Sequence, residues 1–356
     1  MKILDRIRRR YNLGRCWFDN QVLAPLQYYE AVPQVERPCP IDWQPTALEP
    51  VFYGFRDYGS VDGAPGPCRV FFPSIDGSPQ NAEILEGCGT YPLILFAHGQ
   101  CIMEVDHYKK WFVLPATLAR AGYVVVVPQI PQADVPLQNT KGLTLIGKTI
   151  EWVRKCWRHR DVVHPSTGIA GHSYGGKLAA RYTAQNDISA YASISGSSGT
   201  GGKVEPPRDP DIATYFCWGE GESTLESASA ISQQEWDTIP KPKHRAIFED
   251  AYHWDYLPPN QTVCEGNRGD CGVTHWINND LVTLFFARYL TGNNPSPNSD
   301  IPPSLVPPSL ELTPQQEFYA GGHLRSTSLI ENDPDCRVAL TWDVDTESGT
   351  TTMPTN

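Results

Sequence analysis

The sequence lacks several features that would mark other classes of protein. No apolar run approaches the roughly 18 residues that a membrane-spanning helix needs, so we expect no transmembrane segment. None of the ten cysteines forms a C-x-x-C pair, so we expect no zinc site of that kind. Positive charge is scarce: 29 Lys and Arg against 40 Asp and Glu give a net charge of -11. This balance argues against nucleic acid or an anionic membrane as the main partner.

The signals for cellular compartment point in two directions. Residues 1–10 are basic but lack the apolar core of a secretory signal peptide, which favours a cytoplasmic location. In contrast, Cys264 and Cys271 flank a polar loop that a disulfide would close, and Asn260 begins a glycosylation sequon. We expect a cytoplasmic protein, while the pairing of these cysteines and the oligomeric state stay open.

The order of apolar runs and helix-forming stretches indicates the fold class. Six apolar runs predict strands, and four stretches between or after them predict helices. The strands are expected at 92–97, 123–128, 167–170, 190–195, 213–218 and 245–248, and the helices at 108–121, 143–159, 177–184 and 279–290. This alternation predicts an α/β protein with a mostly parallel central sheet and helices on both faces.

The chain is long enough for one large domain with additional segments. Residues 1–50 form an irregular extension, residues 51–292 the expected catalytic domain, and residues 293–356 a Pro-rich linker with a short β tail. The tail contains one convincing strand, at 337–342. The stretch between Ser195 and Asp211 is short and polar, so we expect no large cap domain and a fairly open cleft.

Residues 171–176, Gly-His-Ser-Tyr-Gly-Gly, match the G-x-S-x-G pattern of a nucleophile elbow. A β-compatible run precedes them and helix formers follow, as a tight strand-to-helix turn requires. The alternative is a Gly/Ser turn that merely caps a helix. If the pattern is an elbow, Ser173 is the candidate nucleophile.

A nucleophilic serine needs a histidine to accept its proton and a carboxylate to orient that histidine. In this kind of fold the order along the chain is Ser, acid, His. That order and the expected strand ends exclude eight of the nine histidines and leave His253, after the 245–248 strand, as the candidate base. The alternative is a loop histidine bonded to a neighbouring aspartate.

The acid is expected in the loop after the 213–218 strand, which offers two glutamates. We favour Glu222, with Glu220 as the alternative, to accept the Nδ1 proton of His253 and stabilise the imidazolium. Asp250 is a poorer candidate because it is too close in sequence to His253.

The backbone N–H groups of Gln100 and Tyr174 are the expected oxyanion-hole donors, since they follow an earlier strand and the nucleophile. Trp218, Tyr252 and Trp254 are candidates for an apolar substrate pocket, although aromatics after strands more often belong to the core. A metal site at His98, Asp106 and His107 is an alternative without a compelling spacing. No cofactor and no metal are expected.

The A-H-G-Q turn at Ala97, the G-H-S-Y-G-G elbow, the W-G-E-G-E loop at Trp218 and the H-W-D-Y turn at His253 resemble the α/β-hydrolase superfamily. The resemblance covers roughly residues 65–292 and is strongest to a branch of esterases. That branch contains the dienelactone hydrolases, platelet-activating-factor acetylhydrolase-like enzymes, chlorophyllases and cutinase-like polyester hydrolases. Its members usually carry Asp where Glu222 stands.

These residues predict a serine esterase that works through an acyl-enzyme on a small-molecule or polymeric ester. An acyltransferase or peptidase would use the same residues, and a non-catalytic binding protein is possible on the same fold. The sequence does not indicate which ester is the substrate.

Overall fold

The structure is a computed structural model in which part of the chain is described. The described residues are 52–74, 79–80, 82–86, 90–100, 106–131, 139–196, 212–219, 236–237, 239–248, 251–257, 273–290, 340–346 and 349–352. The expected N-terminal extension, residues 197–211, where we expected no large cap domain, and most of the C-terminal linker and tail lie outside these residues.

Ten strands form one sheet in the described part of the chain. They are β1 (Phe52–Tyr58), β2 (Cys68–Ser74), β3 (Tyr91–Ala97), β4 (Val124–Pro128), β5 (Val163–His172), β6 (Ala190–Ile194), β7 (Ala213–Gly219), β8 (Lys243–Phe248), β9 (Leu340–Thr346) and β10 (Gly349–Thr352). Strands β3 and β4 are buried throughout, which explains why they read as continuous apolar runs rather than alternating ones.

The order across the sheet is β1-β2-β4-β3-β5-β6-β7-β8-β9-β10. The six strands from β4 to β8 in this order are parallel, while β2 runs antiparallel to both β1 and β4. The C-terminal strand β9 pairs antiparallel with β8, with Ala246 opposite Trp342. The first eight strands thus have the order and directions of the α/β-hydrolase fold, and the predicted fold class is confirmed.

Four α-helices accompany the strands in the described residues: α1 (Val113–Arg120), α2 (Thr140–Lys155), α3 (Tyr174–Thr183) and α4 (Val273–Tyr289). Helix α1 starts later than expected because residues 107–109 form a separate 3-10 turn. It ends at Arg120, one residue before the predicted end, and Gly122, whose φ of 95° favours glycine, follows the cap residue. Helix α4 begins earlier than expected, at Val273 rather than Asn279.

Two apolar cores lie on the two faces of the sheet. Alternate residues of β3 separate them: Ile94 and Phe96 pack on one side, and Leu93 and Leu95 on the other. The first core includes side chains of α1 and α4, and the second includes side chains of α2 and α3. Helices therefore cover both faces, and the carboxyl-end edge of the parallel strands stays available for a site. None of the helices in the described ranges has the length and apolar character to cross a membrane.

Candidate active site

Ser173 occupies the sharp turn between β5 and α3. Its backbone φ of 52° and ψ of -120° lie outside the regions that side-chain-bearing residues prefer. Its N–H donates to the carbonyl oxygen of Ile194 in β6 over 2.9 Å, which ties the turn to the neighbouring strand. The half-buried hydroxyl is thus presented at the edge of the sheet in the manner of a nucleophile elbow.

The glycines of the motif let the backbones of this turn approach one another. A Cβ at Gly175 would lie 2.0 Å from the carbonyl oxygen of Ala97 at the end of β3. A Cβ at Gly171 would lie 2.5 Å from the carbonyl carbon of Gly175. Since neither backbone can yield without moving a central strand, only glycine fits at these two positions.

The turn lies at the point where the strand order reverses. After β3 the chain moves to β4 on one side, and after β5 it moves to β6 on the other. Ligands of open α/β sheets bind outside the carboxyl ends of the strands at such a switch point. Ser173 follows β5 and residues 98–100 follow β3, so both flank this crevice.

His253 lies in a turn after β8 and reaches Ser173. Its Nε2 is 2.8 Å from Oγ of Ser173, a hydrogen bond between residues far apart in sequence. The turn is held by the carboxylate of Asp255, which accepts the N–H of Tyr252 over 2.8 Å. It also rests on the end of β7, because a Cβ at Gly219 would lie 2.1 Å from the carbonyl oxygen of Ala251. The structure therefore brings the two principal candidates from the sequence together.

The other ring nitrogen of His253 contacts a residue that the sequence did not single out. Oγ of Ser195 lies 2.6 Å from Nδ1. Ser195 is 1% exposed and directly follows β6, the neighbour of β5. A lone serine after a strand carries no distinctive pattern. The sequence feature that could have identified Ser195 is its position at the carboxyl end of the strand that follows the elbow.

His172, the residue before the candidate nucleophile, contacts the backbone and the ring of the candidate base. Its Nε2 is 2.8 Å from the backbone carbonyl oxygen of His253, to which it donates. Burial, followed by the proximity of His253, lowers the pKa of His172 well below its usual value. A neutral His172 adds no charge beside the base, while its ring packs 4.7 Å from the ring of His253, centroid to centroid.

His98 has a structural place in the loop after β3. Its Nδ1 donates to the carbonyl oxygen of Gly99 over 2.8 Å, and its Nε2 accepts the N–H of Ile130 over 2.9 Å. Burial and the neighbouring His107 lower its pKa to about 3. Both ring nitrogens thus serve the backbone rather than a metal. Among the residues that the structure describes, no group of three or more His, Cys, Asp or Glu could hold a metal ion.

The expected oxyanion donors flank the nucleophile. Tyr174 is the first residue of α3, so its N–H belongs to the positive end of the helix dipole. Gln100 follows Gly99, where an added Cβ would lie 3.4 Å from Cβ of Ser173. These positions are compatible with donors on both sides of Ser173.

The remaining candidate residues lie beside His253, in the apolar core or outside the described residues. Trp254 is half-buried with its ring 5.1 Å from that of His253, and Tyr252 is also half-buried. Trp218 is only 7% exposed and packs in the core that contains α2 and α3. Glu222, Glu220, Asp250 and the cysteines at 264 and 271 lie outside the described residues.

Chemically, a hydroxyl bonded to an imidazole that is itself held at its second nitrogen is the arrangement of an activated nucleophile. The imidazole can accept the hydroxyl proton while the hydroxyl oxygen attacks an electrophilic carbon. The helix N-terminus behind Ser173 favours negative charge developing at that point.

Comparisons with known proteins found one similar family and similar solved structures. Residues 80–216 match the Chlorophyllase family. The fold is similar to a ferulic acid esterase from Streptomyces cinnamoneus, with a TM-score of 0.48, 14% sequence identity, and coverage of 71% of this chain and 94% of that one. No curated protein matches the sequence. The strand order is that of the α/β-hydrolase fold, and the part of the chain from 80 to 216 is similar to the Chlorophyllase family.

Proposed function

We propose that this α/β-hydrolase is a serine-dependent carboxylic ester hydrolase that works through an acyl-enzyme. The observation that carries the proposal is the 2.8 Å contact between Oγ of Ser173 and Nε2 of His253 at the switch point of the sheet. The match of residues 80–216 to the Chlorophyllase family supports the same class of reaction.

In the proposed first step, Oγ of Ser173 attacks the ester carbonyl carbon while Nε2 of His253 accepts the hydroxyl proton. The carbonyl oxygen gains negative charge, which the backbone N–H groups of Tyr174 and Gln100 stabilise. Collapse of this intermediate breaks the bond to the alcohol oxygen. His253 returns its proton to that oxygen, and the alcohol leaves.

In the second step a water molecule attacks the acyl-enzyme. His253 takes a proton from the water, a second tetrahedral intermediate forms, and Ser173 leaves with the proton from His253. The products are the carboxylic acid and the restored enzyme, so no redox partner or cofactor enters the balance.

We assign to Glu222, with Glu220 as the alternative acid, the roles of accepting the Nδ1 proton of His253 and of stabilising the imidazolium charge. The proposal rests on their place in the sequence, after β7 and before β8, which fits the usual order of these residues in this fold. Trp254 beside His253 is proposed to contact the acyl or alcohol group, with Tyr252 and Trp218 as further pocket candidates.

Labelling with a fluorophosphonate, followed by peptide mass mapping, tests the proposal. We expect rapid labelling of the intact protein on Ser173 and none of the Ser173→Ala variant. A panel of p-nitrophenyl esters should then be hydrolysed by the wild-type protein alone. A folded wild-type protein that is neither labelled nor active would overturn the proposal in favour of a non-catalytic role.

The same assay separates hydrolysis from acyl transfer. If water is the natural acceptor, an added alcohol or amine should leave most of the acyl group as free acid. If an added acceptor captures the acyl group in preference to water, the protein is an acyltransferase that uses the same residues.

A further inference from the structure

The turn of the candidate base follows strand β8, whose outer edge is covered by the C-terminal strand β9. The antiparallel ladder between the two strands runs from Lys243 opposite Asp345 to Phe248 opposite Leu340. Strand β8 is the last of the strands that have the order of the α/β-hydrolase fold. A β8 strand without β9 would present its backbone N–H and C=O groups as an open sheet edge.

We propose that β9 is part of the catalytic unit: it docks on the edge of β8 and thereby holds the turn of His253 against Ser173. This inference rests on the proposed esterase function. The occupant of the edge is the segment 340–346 of this chain, and its backbone supplies the hydrogen bonds, as in other cases of strand addition. The entropy of loop closure grows slowly with length, so a connection of about 50 residues from α4 still favours docking within one chain.

Phe248 connects the docked strand with the turn of the base. Its backbone pairs with Leu340 of β9 on one side and with Gly219 of β7 on the other. Its ring is buried and packs against the ring of Tyr256, with 5.9 Å between the centroids. Tyr256 lies three residues after His253 in the same turn. Displacement of the carboxyl end of β8 would therefore move the turn that carries the base.

The turn tolerates little displacement. Ala251 at its start is buried, and a Cβ at Gly219 would lie 2.1 Å from its carbonyl oxygen, so the turn is packed directly on β7. Nε2 of His253 is 2.8 Å from Oγ of Ser173, a distance at which a hydrogen bond forms. A misplacement of about 1 Å in such a geometry can lower the rate about 100-fold.

Charges of opposite sign match the register of the two strands. Lys243 lies opposite Asp345, and Arg245 lies opposite Asp343. Opposite charges at directly opposed positions stabilise an antiparallel pair, and a slip of one residue would place a neutral residue opposite each cation. The ammonium group of Lys243 is buried and donates to the carbonyl oxygen of Trp236 over 2.6 Å, so its position is fixed.

Prolines in β9 test whether docking holds the base. Successive residues of an antiparallel strand alternate in the direction of their N–H groups, so Thr341→Pro combined with Val344→Pro removes a donor to β8 whichever set of residues faces it. Hydrogen–deuterium exchange should become at least about tenfold faster in residues 243–248 and 251–257 but stay unchanged in β3 and β5. For a p-nitrophenyl ester, kcat should fall about 10- to 100-fold with little change in KM, because the base moves while the substrate site stays.

The matched control carries two prolines outside β9. Ser304→Pro combined with Ser309→Pro lies in a stretch that already contains several prolines. This variant should keep the kcat, the KM and the exchange rates of the wild-type protein.

A charge exchange tests the register and avoids proline. Arg245→Asp or Asp343→Arg alone places like charges opposite each other, and we expect exchange in β8 to become about two- to fivefold faster. The combined variant restores opposite charges and should return exchange and kcat towards the wild-type values. Asp161→Arg, at a side chain that is 87% exposed and away from β9, controls for the change in net charge and should have no effect.

The inference is wrong if the proline variant keeps the wild-type kcat and exchange in residues 251–257. It is also wrong if exchange rises equally in β3, β5 and β8, because the whole domain is then destabilised rather than the turn of the base. If the proline variant does not fold, the charge exchange decides, and a combined variant no better than the single ones overturns the inference. Absence of fluorophosphonate labelling at Ser173 in the wild-type protein would instead overturn the proposed function, and exchange in residues 251–257 would still show whether β9 holds the turn.

Discussion

Nε2 of His172 donates a hydrogen bond to the backbone carbonyl oxygen of His253 over 2.8 Å. The residue before the candidate nucleophile therefore anchors the backbone of the candidate base. Its other nitrogen, Nδ1, is buried without a hydrogen-bond partner in the described residues, and a Cβ at Gly99 would lie 2.7 Å from it. His172 thus joins the loop after β3, the elbow and the turn after β8.

Replacing His172 with Phe tests this anchor. Phe keeps an aromatic ring between Trp111 and His253 but leaves the His253 carbonyl oxygen without its donor. We expect the free energy of unfolding to fall by about 1–3 kcal/mol and kcat to fall about tenfold. Urea denaturation and ester hydrolysis measure the two effects. His172→Gln, which retains a donor, should lose less, and equal losses in both variants would show that the hydrogen bond is unimportant.

Two substitutions of Ser173 together measure the backbone strain at the elbow. Ser173→Ala and Ser173→Gly both abolish the hydroxyl, and they differ only in the Cβ at φ 52° and ψ -120°. We expect the Gly variant to be more stable by about 1 kcal/mol, because relief of backbone strain exceeds the extra entropy of glycine in the unfolded chain. Urea denaturation of the two inactive variants provides the comparison.

The matched control for this pair lies in a regular strand. At Ser193 in β6, the Ala variant should be more stable than the Gly variant by about 0.5–1 kcal/mol. If Ser173→Ala exceeds Ser173→Gly in stability by as much as the Ala variant exceeds the Gly variant at Ser193, the elbow stores no strain.

The sheet and the central pair of residues could be predicted from the sequence because their signals are local. Runs such as 123–128 are apolar throughout since a parallel strand is buried on both faces. The G-x-S-x-G pattern identifies the elbow because backbone contacts at Gly175 admit no Cβ. His253 followed from chain order together with the expected ends of the strands.

The remaining features depend on contacts between distant segments. Helix α4 begins with residues of modest helix propensity, among which Thr274, His275, Asn278 and Asn279 are buried, so tertiary contacts decide its start. The pairing of β9 with β8 joins residues about a hundred positions apart. Ser195 was missed for the same reason, since only the folded sheet brings it to His253.

The buried His98 predicts a loss of stability at acidic pH. Its pKa is lowered to about 3 by burial and by His107, below the usual value near 6.5 of an unfolded chain. Protonation therefore favours the unfolded state. The contribution of His98 is fully present above pH 6.5 and is lost progressively as the pH falls from 6.5 towards 3, by up to about 1.4 kcal/mol for each pH unit.

Urea denaturation between pH 7 and pH 4 measures this effect. His172, whose pKa is also lowered, acts in the same direction, so the comparison must isolate His98. In His98→Gln, which does not titrate, the decline of stability with falling pH should be less steep than in the wild-type protein. Parallel curves for the two proteins would mean that the pKa of His98 is the same in the folded and unfolded states.

Asn139 connects the start of α2 with the residue after the candidate nucleophile. Its Oδ1 accepts the N–H of Gly142 over 2.8 Å as the helix cap. Its Nδ2 donates to the carbonyl oxygen of Pro131 and to the hydroxyl of Tyr174, each over 2.6 Å.

Asn139→Ala should lower the free energy of unfolding by about 2–4 kcal/mol, because it removes a cap and leaves buried polar groups without this partner. Tyr174→Phe, which removes one of these bonds and keeps the ring, should cost about 1 kcal/mol. Because both changes remove the same hydrogen bond, the double variant should be more stable than the sum of the single losses predicts, by about 1 kcal/mol. Additive losses would show that the contact between Asn139 and Tyr174 contributes nothing, and that the helix cap and the bond to Pro131 explain the effect of Asn139→Ala.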